Sequence, residues 1–336
     1  MKKGIALLAA VTMCATLFTS GFGAAAEETE ASGSVSKIAV VFATGGLGDK
    51  TYNDSLYYGV KEICDSQGYE MEYSEPMDAA EYEPLLRGYA STGEYDLIIS
   101  LGYSQGSSVE AVAPNYPDQK FMLIDAEVEC DNVACYAWRE NELSYMVGVM
   151  AGMMTESKVI GFIAAFDIYN CNMNVAGYTA GAQSIDPEIQ VIVNYLESWD
   201  DIAACKEMAL SMHEQGADII YHAASTAGLG ILEAGKEKDF YTIGYDGNVN
   251  AEAPDTNMAS AVRLFPVAAQ HCIDSINDGT FAGGVVSLGC SDGACEVQTE
   301  GTNVEIPQDV LDAVQKANDD IAAGTVSVPL QPDELQ

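Results

Sequence analysis

Positive charge is scarce in this 336-residue sequence: 14 lysines and arginines stand against 51 aspartates and glutamates, a formal net charge of −37. A protein that grips nucleic acid needs the opposite sign, so that class is excluded. No basic cluster interrupts the field, which also argues against electrostatic docking on anionic lipid. Histidine is scarcer still. The three present, His213, His222 and His271, stand at no zinc-site spacing from the cysteines, and no metal or cofactor is expected. After the amino terminus no apolar stretch is long enough to span a bilayer. The acidic surplus itself is read as a source of solubility.

What is present is a globular composition, 48% hydrophobic and 19% charged, in which a sizeable core is feasible. At roughly 150 residues per domain the length predicts two domains. Met1-Lys2-Lys3, an apolar run over 4–22 and Ala24-Ala25-Ala26 before Glu27 read as a secretory signal over 1–26. A retained anchor is the alternative, although Thr12, Thr16, Thr19, Ser20 and Gly21 dilute the run. Lipid attachment at Cys14 is a third, but Met13 stands where a lipobox wants a small residue. Residues 27–35, EETEASGSV, read as a flexible tether. The chain is thus expected outside the cytoplasmic membrane, envelope-associated or secreted. Eight cysteines follow Cys14, and in an exported chain they either bridge or pack as free thiols. Cys290 and Cys295 flank an Asp-Gly turn suited to a hairpin, and Cys130 and Cys135 form a second local pair.

Apolar runs and helical periodicities alternate along the chain. Strands are predicted over 37–43, 69–74, 96–101 and 120–124, with helices over 54–66, 80–91 and 106–113, a βαβ series that favours a parallel sheet. After a short strand over 133–138, a second series begins with a helix over 142–154. Its strands fall at 159–164, 189–195, 219–222 and 241–244, and its helices at 174–184, 202–213 and 229–236. A strand over 257–262, a helix over 267–277, a hairpin-like stretch over 285–297 and an amphipathic helix over 307–322 close the chain. The expected class is α/β, with two Rossmann-like lobes of parallel sheet joined by crossover strands that act as a hinge. The N-terminal lobe is expected over 36–137, completed by about 251–283, and the C-terminal lobe over 138–250, completed by about 284–330.

Ligands of open parallel sheets bind beyond the carboxyl ends of the strands. Asp49, Tyr52, Asn53, Asp125, Trp199, Gly228 and Asp246 follow predicted strands, and His222 ends one. Turn chemistry alone accounts for aspartate and glycine at such points. Tyr52 and Trp199, in different lobes, either cover their own lobes or stack on a flat guest, each stack contributing about 1–3 kcal/mol.

The segments GGLGDKTYNDSLYYGV (45–60), YEPLLRGYASTGEYDLII (82–99), YPDQKFMLIDA (116–126), YMVGVMAGMM (145–154), ESWDD (197–201) and QGADIIYHAASTAGLGILEAGKEK (215–238) resemble the basic membrane protein family. These are substrate-binding components of ABC importers, related to purine-nucleoside receptor lipoproteins, and the likeness runs from Lys37 to about Gly284. It implies a type I periplasmic-binding-protein fold, a monomer that closes on a nucleoside, with purine expected, and serves an ABC permease and ATPase without performing chemistry. By position it assigns Asp49 and Asn53 to the base, Tyr52 and Trp199 to stacking, and Asp125 to the neighbourhood of the base. Gly228 is assigned to close backbone approach, and Asp246 and Arg263 to the ribose hydroxyls. Three departures stand out: Tyr52 for the usual Phe, Ser225-Thr226-Ala227-Gly228 for Gly-Gly-Thr-Gly, and Arg263 for Lys. Two rival readings remain. One is an envelope sensor of the same fold. The other is a secreted serine esterase, because Gly102-Tyr103-Ser104-Gln105-Gly106 fits a nucleophile elbow, though no acid-then-histidine pair typical of such enzymes follows.

Overall fold

A computed structural model describes residues 34–335. The signal expected over 1–26, Cys14 and most of the tether expected over 27–35 lie outside the described residues. At the tether's end the expectation is corrected: Val35 is buried, and its N–H donates to Asn277 Oδ1 at 2.7 Å.

The first lobe is built on a parallel sheet. Strands β1 (Lys37–Val41), β2 (Glu70–Ser74), β3 (Leu97–Leu101), β4 (Phe121–Ile124) and β5 (Val133–Trp138) line up as β2-β1-β3-β4-β5, with β11 (Gly284–Leu288) beside β5. Along β1, Ile38 and Val40 enter one apolar cluster while Ala39 and Val41 enter another. Both faces of the strand are therefore covered, which is why it reads as an unbroken apolar run rather than an alternating one. Helices α1 (Tyr52–Gln67), α2 (Tyr82–Thr92) and α3 (Gly106–Val112) supply those covers.

The second lobe repeats the plan. Strands β6 (Val159–Ala164), β7 (Gln190–Tyr195), β8 (Ile219–Ala223), β9 (Tyr241–Asp246) and β10 (Asn257–Arg263) run parallel in the order β7-β6-β8-β9-β10, and β12 (Cys295–Gln298) adds an antiparallel edge. Helices α4 (Glu140–Met154), α5 (Tyr169–Ile185), α6 (Ile202–Glu214), α7 (Leu229–Lys238) and α9 (Gln308–Ala322) belong to this half, whereas α8 (Phe265–Asn277) packs back on α1. No helix among the described residues is long and apolar enough to cross a membrane.

The closing elements differ from expectation. Strand β10, within the stretch expected to complete the first lobe, pairs with β9 in the second sheet; β11, expected in the second lobe, pairs with β5 in the first. The hairpin expected over 285–297 is therefore absent, since its two strands serve different sheets. The physical reason lies in the turn between them: Arg139 donates to Ser287 O, Ser291 Oγ and Asp292 Oδ2 at 2.8–2.9 Å, which pins the chain as it passes between lobes. The crossings accordingly fall at 138–140, 263–265 and 288–295. All eight cysteines among the described residues are free thiols, including Cys130, Cys135, Cys290 and Cys295.

Helices α4 and α5 approach closely because glycine faces backbone at their contact. A Cβ on Gly177 would lie 2.1 Å from the Asn141 carbonyl oxygen, and one on Gly181 would lie 2.1 Å from that of Tyr145. The substitution Gly177→Ala is expected to cost about 1–3 kcal/mol of stability through overpacking, measured by urea unfolding. An unchanged midpoint would contradict this contact.

Candidate functional site

In each sheet neighbouring strands whose connections leave in opposite directions open a crevice at their carboxyl ends, between β1 and β3 in one and between β6 and β8 in the other. The two crevices contribute to one cavity. Thr44, Tyr52, Tyr103 and Asp125 line it from the first lobe, and Trp199, Ser225, Asp246 and Arg263 from the second. Three of these residues, Asp125 (φ 63), Ser225 (φ 47) and Asp246 (φ 70), hold left-handed backbone. That conformation is uncommon for a residue with a side chain, although aspartate tolerates it better than most. Clusters of such residues are characteristic of binding and catalytic sites.

At the centre lies the Arg263 guanidinium, only 4% exposed. Its Nε donates to Asp246 Oδ1 at 2.6 Å, and its Nη1 donates to Asp125 at 2.9 and 3.0 Å and to Glu140 Oε1 at 2.9 Å. The rings of Phe265, Trp138, Tyr245 and Tyr52 stand 5.2–5.5 Å from its central carbon. A planar fork among aromatic faces suits arginine better than lysine, whose compact ammonium prefers full hydration. Burial works against the Arg263 charge, but Asp125 and Asp246 outweigh it and hold the group firmly protonated. Three carboxylates around one guanidinium leave a formal surplus of two negative charges. Burial raises Asp246 to about 6, opposed by Arg263. It raises Glu140 to about 7, again opposed by Arg263 and assisted by Asp125 and Asp246.

This pairing also joins the lobes, because Asp125 follows β4 and Arg263 ends β10. Lys50 adds a second link at the rim, 2.6 Å from Glu252. Trp138 Nε1 ties two of the crossings together by donating to Ala294 O at 3.1 Å.

Six of the eight residues expected from sequence line the cavity: Tyr52, Asn53, Asp125, Trp199, Asp246 and Arg263. Tyr52 donates its hydroxyl to Asp125 Oδ2 at 2.6 Å and sets its ring edge-on to Phe265. Trp199, 40% exposed, leans on Phe166 at 5.3 Å. The amide of Asn53 is spent largely on structure, accepting from Ala43 N and donating to Asp49. The other two residues do not line the cavity. Asp49 accepts from the backbone N–H groups of Thr51, Asn53 and Asp54, so its carboxylate serves the amino end of α1. Gly228 has a packing requirement of its own, since a Cβ there would lie 1.8 Å from His222 Cε1.

Glu140 went unnoticed in the sequence, though as an acid two residues past the end of β5 it carried the same signal as Asp125. Asn170, Asn174 and Tyr245 also line the cavity; on helices or inside strands they resemble ordinary packing residues. Ser104 lines it too, but no histidine is bonded to it among the described residues. His222 accepts from Ala224 N, His271 meets the Tyr136 hydroxyl and His213 meets Ala217 O. Burial drives His222 down to about 3, which leaves a neutral ring. Nor is any group of three or more His, Cys, Asp or Glu among the described residues arranged to hold a metal ion.

A family described as ABC transporter substrate-binding protein PnrA-like matches residues 36–330. The chain belongs to that family. It is 27% identical to the ABC transporter nucleoside-binding protein BmpA of Lactococcus lactis, over 98% of this chain and 99% of that one. It is 28% identical to the CD4+ T-cell-stimulating antigen of Listeria monocytogenes over 88% of each. An ABC transporter solute-binding protein from Aeropyrum pernix K1 superposes with a TM-score of 0.77 at 26% identity, covering 89% of this chain and 95% of that one. The fold is thus that of periplasmic binding proteins, and the cavity lies between the lobes of an ABC transporter substrate-binding protein.

Removing the guanidinium strands three carboxylates in a buried site. Arg263→Met is expected to cost roughly 3–5 kcal/mol near neutral pH, and less in acid, where protonation neutralises the carboxyls it leaves behind. Urea unfolding at both pH values checks this, and an equal loss at each would contradict it.

Proposed function

We propose that this protein captures a nucleoside outside the cytoplasmic membrane and delivers it to an ABC permease and ATPase, performing no chemistry itself. The observation that carries the reading is the pairing of Asp246 with Arg263 at a cavity bordered by an aromatic ring from each lobe. Asp246 Oδ1 is engaged by Arg263 Nε. Its second oxygen and Arg263 Nη2 have no hydrogen-bond partner among the described residues. An acceptor beside a donor matches the adjacent hydroxyls of a ribose, each of which can give one hydrogen bond and receive another. Tyr52 and Trp199 supply apolar faces for a base, and Asp125 is the nearest charged acceptor on the Tyr52 side. The BmpA relative is named as nucleoside-binding, which supports the same reading.

The surplus negative charge favours an uncharged guest. A phosphate would bring further negative charge to a site whose single guanidinium already serves three carboxylates. Capture proceeds by lobe closure, which is favoured because the guest's contacts are complete only when both lobes meet.

Calorimetry tests this. Adenosine, guanosine or inosine is expected to bind, and the corresponding 5′-monophosphates to bind at least about tenfold more weakly. Trp199→Ala is expected to reduce nucleoside affinity by about tenfold or more, a loss of roughly 1.4 kcal/mol, with the fold intact by circular dichroism. Equal affinity for nucleoside and nucleotide, or an unaffected Trp199 variant, overturns the assignment.

A further inference from the structure

Glu140 occupies a position in this site that charge alone makes unusual. It opens α4 and is 5% exposed; Oε1 accepts from Arg263 Nη1 at 2.9 Å, and Oε2 accepts from Asn174 Nδ2. Arg263 is also the partner of Asp125, after β4, and Asp246, at the end of β9. No second cationic side chain is bonded to any of these three carboxylates among the described residues.

The remaining titratable groups facing the cluster do not balance it. Tyr52 from α1, Tyr221 from β8 and Tyr245 from β9 are phenols that burial raises well above their ordinary value. Cys171 from α5 is a thiol that burial raises to about 11. All four are neutral near pH 7. Asp49 adds negative charge on the Asp246 side. Water that enters when the lobes part would screen the surplus. When a guest fills the cleft the screening is lost, and a buried carboxylate that shares its only cation with two others is relieved most cheaply by binding a proton. Asp125 already accepts three hydrogen bonds, two from Arg263 and one from Tyr52. Asp246 holds Arg263 Nε to itself, whereas Glu140 shares Nη1 with Asp125 and has only the neutral Asn174 amide on its other oxygen, so Glu140 has the weakest claim on the one cation; burial raises it, as it raises Asp246.

We propose that Glu140 is the positioning residue that holds the trapped proton: closing the lobes on a guest takes up one proton at Glu140, which keeps Arg263 aligned with Asp246. Guest capture then weakens as the medium turns alkaline, by up to about tenfold per pH unit once the free site has lost its proton. The inference rests on the nucleoside reading only for its choice of guest.

The test has a ligand-bound arm and a ligand-free arm. Calorimetry of inosine binding at about pH 8, in phosphate and in Tris, counts protons through the difference in buffer ionisation heat. Uptake approaching one proton per inosine is expected for the wild type, and none for Glu140→Gln. Identical heats in the two buffers for the wild type, or undiminished uptake in the variant, overturn the proposal.

Without ligand, a carboxyl whose folded value is raised favours the folded state while it holds its proton. That contribution is complete at pH below its unfolded value of 4.5 and is lost as pH rises to about 7. Urea midpoints of the wild type should therefore fall relative to Glu140→Gln across this window, and parallel profiles overturn the proposal. If the variant does not fold, infrared spectra of the wild type serve instead. The stretch of a buried protonated carboxyl should be present at about pH 6 and lost by about pH 9, and its absence at the lower pH is the contrary result. If inosine fails to bind, that outcome counts against the nucleoside reading, and the ligand-free arm alone decides the fate of the proton.

Discussion

One buried guanidinium organises this molecule. Arg263 ends the last parallel strand of the second lobe, reaches the first lobe through Asp125, and holds Asp246 and Glu140 in the same grip. A charge so deep in the protein is tolerable only because three carboxylates bond its Nε and Nη1 and aromatic rings surround it. Those partners are also the walls of the cavity. The constraint that keeps the arginine in place is thus the one that shapes the site.

The arrangement gives the cleft its chemical character. Binding proteins of this fold work by letting a guest complete contacts that neither lobe makes alone, and here part of that completion exists already as the ion pair across the cleft. A guest enters beside a junction already built from one guanidinium and three carboxylates. That junction carries more acid than base, so its own charge opposes an anion in the cavity.

The α/β alternation was legible because strands covered on both faces read as apolar runs and the helices between them carry a helical period, as β1 with α1 and β6 with α5 illustrate. The positions of Tyr52, Asp125, Trp199 and Asp246 were legible for a related reason, since each lies at or after a strand end, where parallel sheets present their ligands. Asp49 and Gly228 misled because the residue types that serve a binding loop also serve a helix terminus and a tight packing contact. Glu140 was passed over because the first turn of a helix is an ordinary place for an acid.

What the sequence determined by itself was local and periodic: two series of strands and helices, the acidic balance, and the loops that gather at the strand ends. Only the tertiary structure decided which sheet received β10, β11 and β12, and that three carboxylates from distant parts of the chain share one arginine. Sheet membership at a lobe crossing depends on which sheet edge lies beside the strand in space, and a charge cluster depends on distances through space. Neither leaves a trace in residue spacing.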